Sequence, residues 1–130
     1  MKITRLTPHA IEVNGKRLEC PQEIIEIVDL EDRVILLLNP DDYEFGDTNV
    51  GRNILCFGDD GEQLWRIADH GVRFKREEND DGRDPNEEVP YAFFALYKWK
   101  CKVIASSLDY NYTLDPETGE FTDLEYDRLS

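Results

Sequence analysis

Apolar residues along the chain either alternate with polar ones or gather in short runs, and turn formers or acidic clusters separate the stretches. Asn14-Gly15 stands between HAIEV and RLEC. Both residues tolerate the positive φ of a type I′ turn, so a two-residue hairpin is predicted there. The next segment, EIIEIVDLEDRVILLLNP, reads two ways. Pro21 could open a helix with apolar positions at 24, 27 and 28. The density of Ile and Val, with Glu31-Asp32 in the middle, favours two strands joined by a tight turn.

In NILCFGDDGEQLWRI, Ile54 and Cys56 fall on one strand face and Leu55 and Phe57 on the other, so both faces are expected to be buried. A turn at residues 58–61 follows. Beyond it Trp65 and Ile67 share a face opposite Leu64 and Arg66. Residues 39–51 form a loop carrying Asp41, Asp42, Glu44 and Asp47. Residues 76–88, REENDDGRDPNEE, hold seven acids, two bases and no apolar side chain, which predicts an exposed loop.

Strand chemistry returns in PYAFFALYKWKCKVIASS. Strict alternation would place Tyr91, Phe93, Ala95, Tyr97, Trp99, Cys101 and Val103 on one face and Lys98, Lys100 and Lys102 on the other. The segment is either one long strand or two strands turning near residues 98–100. A last hairpin, YNYTLDPETGEFTDLEY, turns at residues 115–119. These elements amount to roughly eight to ten short strands with no room for crossover helices. The expectation is a mainly β fold in one domain, residues 1–130. It is an antiparallel meander curled into a barrel, a sandwich or a bent sheet, and a short helix in the first thirty residues is the one alternative element.

Composition agrees with a folded domain: 40% of residues are hydrophobic and 34% charged. Apolar runs such as residues 34–38 are far too short to span a bilayer, and MKITRLTPHAIEV lacks the apolar centre of a signal peptide. Cys20, Cys56 and Cys101 are odd in number and widely spaced, which fits reduced thiols in a cytoplasmic protein better than a disulfide framework or a zinc site. Charge changes the picture most. Twenty-nine acids against fifteen bases leave a formal net charge of −14. Such a surface repels nucleic acid and anionic lipid and steers cationic partners inward.

Two turns repeat a theme. GDDGEQLW and LDPETGEF both run from a strand through an acidic turn to Gly-Glu. The pattern resembles the quinoprotein-type β-propellers, whose repeats carry an Asp-x-x-Thr-Gly turn and a following Trp. Asp115, Thr118 and Gly119 match the turn in the second copy, and Gly61 and Trp65 match the Gly and Trp in the first. Asp60 stands where Thr would be, and Asp123 where the second Trp would be. The match covers ~25 of the 130 residues, whereas a propeller needs at least four blades of roughly forty residues each. The resemblance implies a shared hairpin style and no quinone cofactor. With its short, acidic, β-rich chain and its NILCF…GEQLWRI phrasing, the protein also resembles bacterial immunity proteins of toxin–immunity systems. That resemblance implies a stoichiometric inhibitor of a basic, nuclease-type toxin domain.

Candidate chemistry is sparse. Counted from Glu77, EENDDGRDPNEE places Asn79 and Asp81 at positions three and five, Gly82 at six and Glu88 at twelve of an EF-hand loop. Glu in place of the first Asp, Asp84 at position eight and flanks without helical pattern favour a solvated loop, so no metal is expected. Histidine chemistry has only His9 and His70 to draw on, and Cys56 and Cys101 alternate with apolar neighbours as core residues do. RFKR and YKWKCK mix bases with aromatics as single-strand binders do. The charge of −14 opposes that use, and alternation would send Tyr97 and Trp99 to the core and leave the lysines to pair with the acidic loops.

The expected function is a non-enzymatic binding protein, an immunity protein whose acidic surface neutralises a basic toxin domain, with no catalytic residues and no cofactor. Asp41, Asp42 and Glu44 on one loop, with Asp80, Asp81, Asp84, Glu87 and Glu88 on the other, are the expected partner-binding residues. The alternative is a small enzyme or ligand-binding barrel whose site is assembled from scattered residues.

Overall fold

A computed structural model describes residues 1–44, 47–68, 73–75, 88–108 and 110–126. The fold is mainly β and every strand pairing is antiparallel. Strands β1 (Ile3–Thr7), β2 (Ala10–Val13) and β3 (Lys16–Glu19) form a three-stranded meander. Strands β4 (Ile24–Asp29), β5 (Arg33–Leu38), β6 (Ile54–Gly58) and β7 (Gln63–Arg66) form a four-stranded one. A two-stranded ribbon, β8 (Arg73–Lys75) with β9 (Glu88–Pro90), comes next. A second four-stranded meander ends the chain: β10 (Ala95–Trp99), β11 (Lys102–Ser107), β12 (Tyr110–Leu114) and β13 (Phe121–Tyr126). The sheets stack as a sandwich and do not close into a barrel.

The described residues form thirteen strands against the roughly eight to ten expected, because residues 1–29 are divided among four strands and the β8–β9 ribbon is only three residues on each side. The ambiguous segment resolves as β4 and β5, with Glu31 at φ 73 in the turn, and the first thirty residues hold no helix. Asn14 (φ 50) and Gly15 (φ 87) make the predicted two-residue hairpin.

The middle sheet explains the order of the layers. Residues 34–38 are all buried, so β5 has no polar face. Val34, Leu36 and Leu38 join Leu55 in packing under Ile11, Val13 and Leu18 of the first sheet. Ile35 and Leu37, with Ile54, Cys56 and Trp65, pack against Leu96, Val103, Ala105, Tyr112 and Leu114 of the last. A strand apolar on both faces needs a covering layer on each side, and the chain supplies one before it and one after it. In β4 a bulge between Ile24 and Glu26 switches the alternation, so Ile24 faces the first sheet and Val28 the last.

Two locks fix the last sheet on the middle one. The buried Asn53 amide donates to Leu38 O (2.9 Å) and Phe93 O (2.8 Å), and its carbonyl accepts from Phe93 N (2.9 Å). It thereby acts as a piece of strand for residue 93. At the other end, Trp65 Nε1 donates to Pro116 O at 2.9 Å, as does the Arg33 guanidinium. Gly119, at φ +76, lies against the Trp65 indole so closely that an added Cβ would stand 2.4 Å from its Cε3. The Gly of one Gly-Glu turn thus receives the Trp of the other.

Gly119→Ala is expected to lower unfolding free energy by about 3 kcal/mol, from left-handed backbone strain plus displacement of the indole. Gly15→Ala is the control, since φ there is +87 but nothing lies within 4 Å. Urea titration should place Gly119→Ala well below Gly15→Ala; equal midpoints would mean that Trp65 is not held there.

Candidate functional site

Asp41 and Asp42 lie in a short 3₁₀ turn, Pro40–Asp42, capped by the Asn39 side chain, which accepts from Asp41 N. Asp42 Oδ2 accepts from Glu23 N at 2.7 Å, so this carboxylate ties the turn to the start of β4. Asp41 and Glu44 are exposed. Asp80, Asp81, Asp84 and Glu87 lie outside the described residues, as do His70 and all of the candidate calcium loop except Glu88, which opens β9 opposite Lys75. The structure therefore describes four of the eight acidic candidates, and one of those four, Asp42, has structural work to do.

Several arginines are engaged with main-chain carbonyls. Arg5 donates to Ile24 O and Pro8 O, and Arg52 Nε to Ile67 O at 2.9 Å. Arg66 donates to Arg52 O at 2.7 Å and to the Tyr43 hydroxyl at 3.0 Å. Guanidinium groups are rigid multiple donors, and here they satisfy carbonyls that loops at the sheet ends leave unpaired. Among the described residues the ion pairs are Arg17–Glu19, on the surface, and Arg33–Asp32. The Arg33 hydrogen bond holds the Asp32 carboxyl below its usual range. Arg33, Arg52 and Arg66 are half-buried, whereas Lys2, Arg5, Lys16, Arg17, Lys98, Lys100 and Lys102 are exposed, and most described carboxylates face solvent with no counter-ion among the described residues.

Two open concavities lie on or beside the last sheet. One, of about 290 Å³, is lined by Leu30, Asp32, Arg33, Lys98, Cys101, Pro116 and Glu117. The other, of about 390 Å³, is lined by Tyr97, Trp99, Ile104, Asn111 and Glu125 on the outer face of that sheet. This corrects the expected orientation. Tyr97 is 39% and Trp99 59% exposed and Cys101 is exposed, so of the expected face Phe93 and Val103 reach the core, where Leu96 and Ala105 join them. No described carboxylate pairs with Lys98, Lys100 or Lys102.

The cause is a two-residue hairpin. Lys100 (φ 47) and Cys101 (φ 63) turn the chain, and Trp99 pairs with Lys102. Residues paired across strands share a face, so the alternation changes parity at the turn and Trp99, Tyr97, Lys102 and Ile104 fall together. The inter-sheet space already holds Trp65, Phe93, Tyr112 and the partly buried Phe121, which leaves room for Val103 and Ala105 but not for two more aromatics. Sequence reasoning missed Tyr97, Trp99 and Glu125 as surface residues. A lysine forced onto the same face as the tryptophan was the signal available.

The thiols divide in the same way. Cys20 and Cys56 are buried, and burial pushes Cys20 up and Cys56 up to about 12. Among the described residues no group of three or more His, Cys, Asp or Glu is placed to hold a metal. A thiol reagent at pH 8 should label one cysteine in the native protein, none in Cys101→Ser, and three after unfolding; a native count of three would contradict the buried placements.

Alkali should act through Cys56. Its thiol ionises near its ordinary value in the unfolded chain and near 12 in the fold, so the unfolded state binds fewer protons between those limits. Stability is full below about pH 8.5 and falls as pH rises toward 12. Cys20, Tyr43 and Tyr112, also raised by burial, act in the same direction. Thermal midpoints between pH 8 and 11 should fall, and less steeply in Cys56→Ala than in the parent chain; identical slopes would remove Cys56 as a cause.

No curated protein and no solved structure matches the chain. One family does: the sequence profile of a domain of unknown function, DUF7957, matches residues 1–126, and with so much of its length covered the chain belongs to that family.

Proposed function

We propose that this protein is a non-enzymatic binding protein of the immunity type, which neutralises a basic, nuclease-like toxin domain stoichiometrically through its acidic surface. The observation that carries the reading is the acidic excess at the surface: a net charge of −14, with most described carboxylates exposed and several arginines engaged with main-chain carbonyls. A nuclease holds phosphates in a lysine- and arginine-lined cleft, and a dense set of fixed carboxylates presents that cleft with the same sign of charge. Asp41 and Glu44 are described, exposed members of that set, and Asp80, Asp81, Asp84, Glu87 and Glu88 complete it. Electrostatic steering of this kind accelerates encounter and fades as salt is added. A second reading, a ligand-binding sheet, draws on the concavity beside Trp99.

Salt separates the two charge effects. Added salt should raise the thermal midpoint of the free protein by screening self-repulsion, and slow its association with the partner. The tagged chain should retain a basic protein from its own host's lysate at about 50 mM salt and less of it at about 200 mM. The purified partner should lose activity at a 1:1 ratio. A partner that is not basic, or a basic one left fully active by excess protein, overturns the reading.

A further inference from the structure

We propose that the outer face of the β10–β13 sheet is the docking face for a cationic segment of the partner, whose arginine or lysine lies on the Trp99 and Tyr97 rings and reaches the Glu125 carboxylate. The inference rests on the acidic-binder reading and gives it a place.

The middle sheet is covered on both sides by the first and last sheets, and no other described sheet covers the outer face of the last one, where Tyr97 and Trp99 are exposed while Ile104 and Ser106 are buried. That face carries a 59%-exposed tryptophan, although indole burial is strongly favourable and the core lies one strand face away. Tyr97 and Ile104, paired across β10 and β11, extend the apolar ground. Asp123 lies in the same row as Tyr97 and Ile104, and Glu125 in the row of Ser106 and Asn111. Neither carboxylate has an ion pair among the described residues.

The protein itself shows what the indole attracts. The Lys100 ammonium stands over the Trp99 ring, 5.6 Å from its centroid. Cation–π attraction of this kind is weak at an exposed site and is stronger for a planar guanidinium, which stacks on the ring while its N–H groups reach a carboxylate. Lys100 therefore acts as a tethered occupant that a partner's side chain displaces. A second copy of this chain is the poorer fit, since it would bring its own Asp123 and Glu125 and a further −14 to the same face.

Hexa-arginine, with hexa-glutamate as control, tests the face in 15N-labelled protein, where the two indole N–H resonances report Trp65 and Trp99 separately. Hexa-arginine should move the Trp99 signal saturably at low salt and leave Trp65 in place. Trp99→Ala and Glu125→Gln, followed through backbone amides, should each weaken binding about threefold to fivefold. Lys100→Ala should tighten it more than Lys2→Ala, which removes the same charge elsewhere. Salt-sensitive binding that leaves Trp99 unmoved overturns the docking face and leaves the acidic-binder reading standing. Equal effects of Lys100→Ala and Lys2→Ala, or a Trp99 signal moved by a neutral oligosaccharide, by oligo-dT or by dilution of the protein alone and not by hexa-arginine, also overturns it. The partner's activity assay decides the acidic-binder reading independently.

Discussion

Everything in this molecule is arranged around a strand that has no polar face. Residues 34–38 are buried on both sides, and a lone four-stranded meander would leave half of them in water. Each large aliphatic side chain so exposed would forfeit about 2 kcal/mol. The three-stranded sheet before β4 and the four-stranded sheet after it are therefore consequences of one short apolar run. Asn53 and Trp65 then fix how the last layer sits. The first supplies both halves of a backbone pairing to Phe93, and the second places its indole on Gly119 and its N–H on Pro116 O.

Building layers from tight meanders leaves many carbonyls unpaired where strands end, and this fixes the use of the arginines. Four of them reach main-chain oxygens at loop junctions, Arg33, Arg52 and Arg66 half-buried and Arg5 at the surface. The carboxylates have no comparable use indoors, apart from short caps such as those of Asp42 and Asp47. The exterior therefore carries both signs, with the acids in large excess. Such a shell weakens the fold by self-repulsion, which the two-sided core offsets, and the same shell concentrates cationic partners at the surface.

The outermost sheet links these two themes. On its inner face β10 and β11 contribute small and mid-sized side chains beside Tyr112 of β12 and the Trp65 indole of the middle sheet. Its outer face is left with Tyr97, Trp99 and Ile104 beside two carboxylates. In the proposed binding reading the overall charge selects what approaches and the aromatic ground where it stays, because long-range attraction is not directional, whereas an indole face is.

The chain by itself determined the class of fold, because period-two alternation and turn chemistry act between near neighbours. Asn14-Gly15 announces its hairpin, the Ile- and Val-rich segment becomes β4 and β5, and apolar residues at both parities of 54–57 announce a buried sheet. It also fixed the sign of the surface, since a count needs no geometry. Only the tertiary structure decided which way the aromatics of β10 point. A turn at Lys100-Cys101, two residues with no conformational preference for positive φ, reversed the parity, and the volume left between sheets chose Val103 and Ala105 over Trp99. It alone, too, showed Asp42 capping a backbone and arginines bonded to main-chain carbonyls. Those outcomes depend on contacts between residues far apart in sequence, and no local pattern carries them.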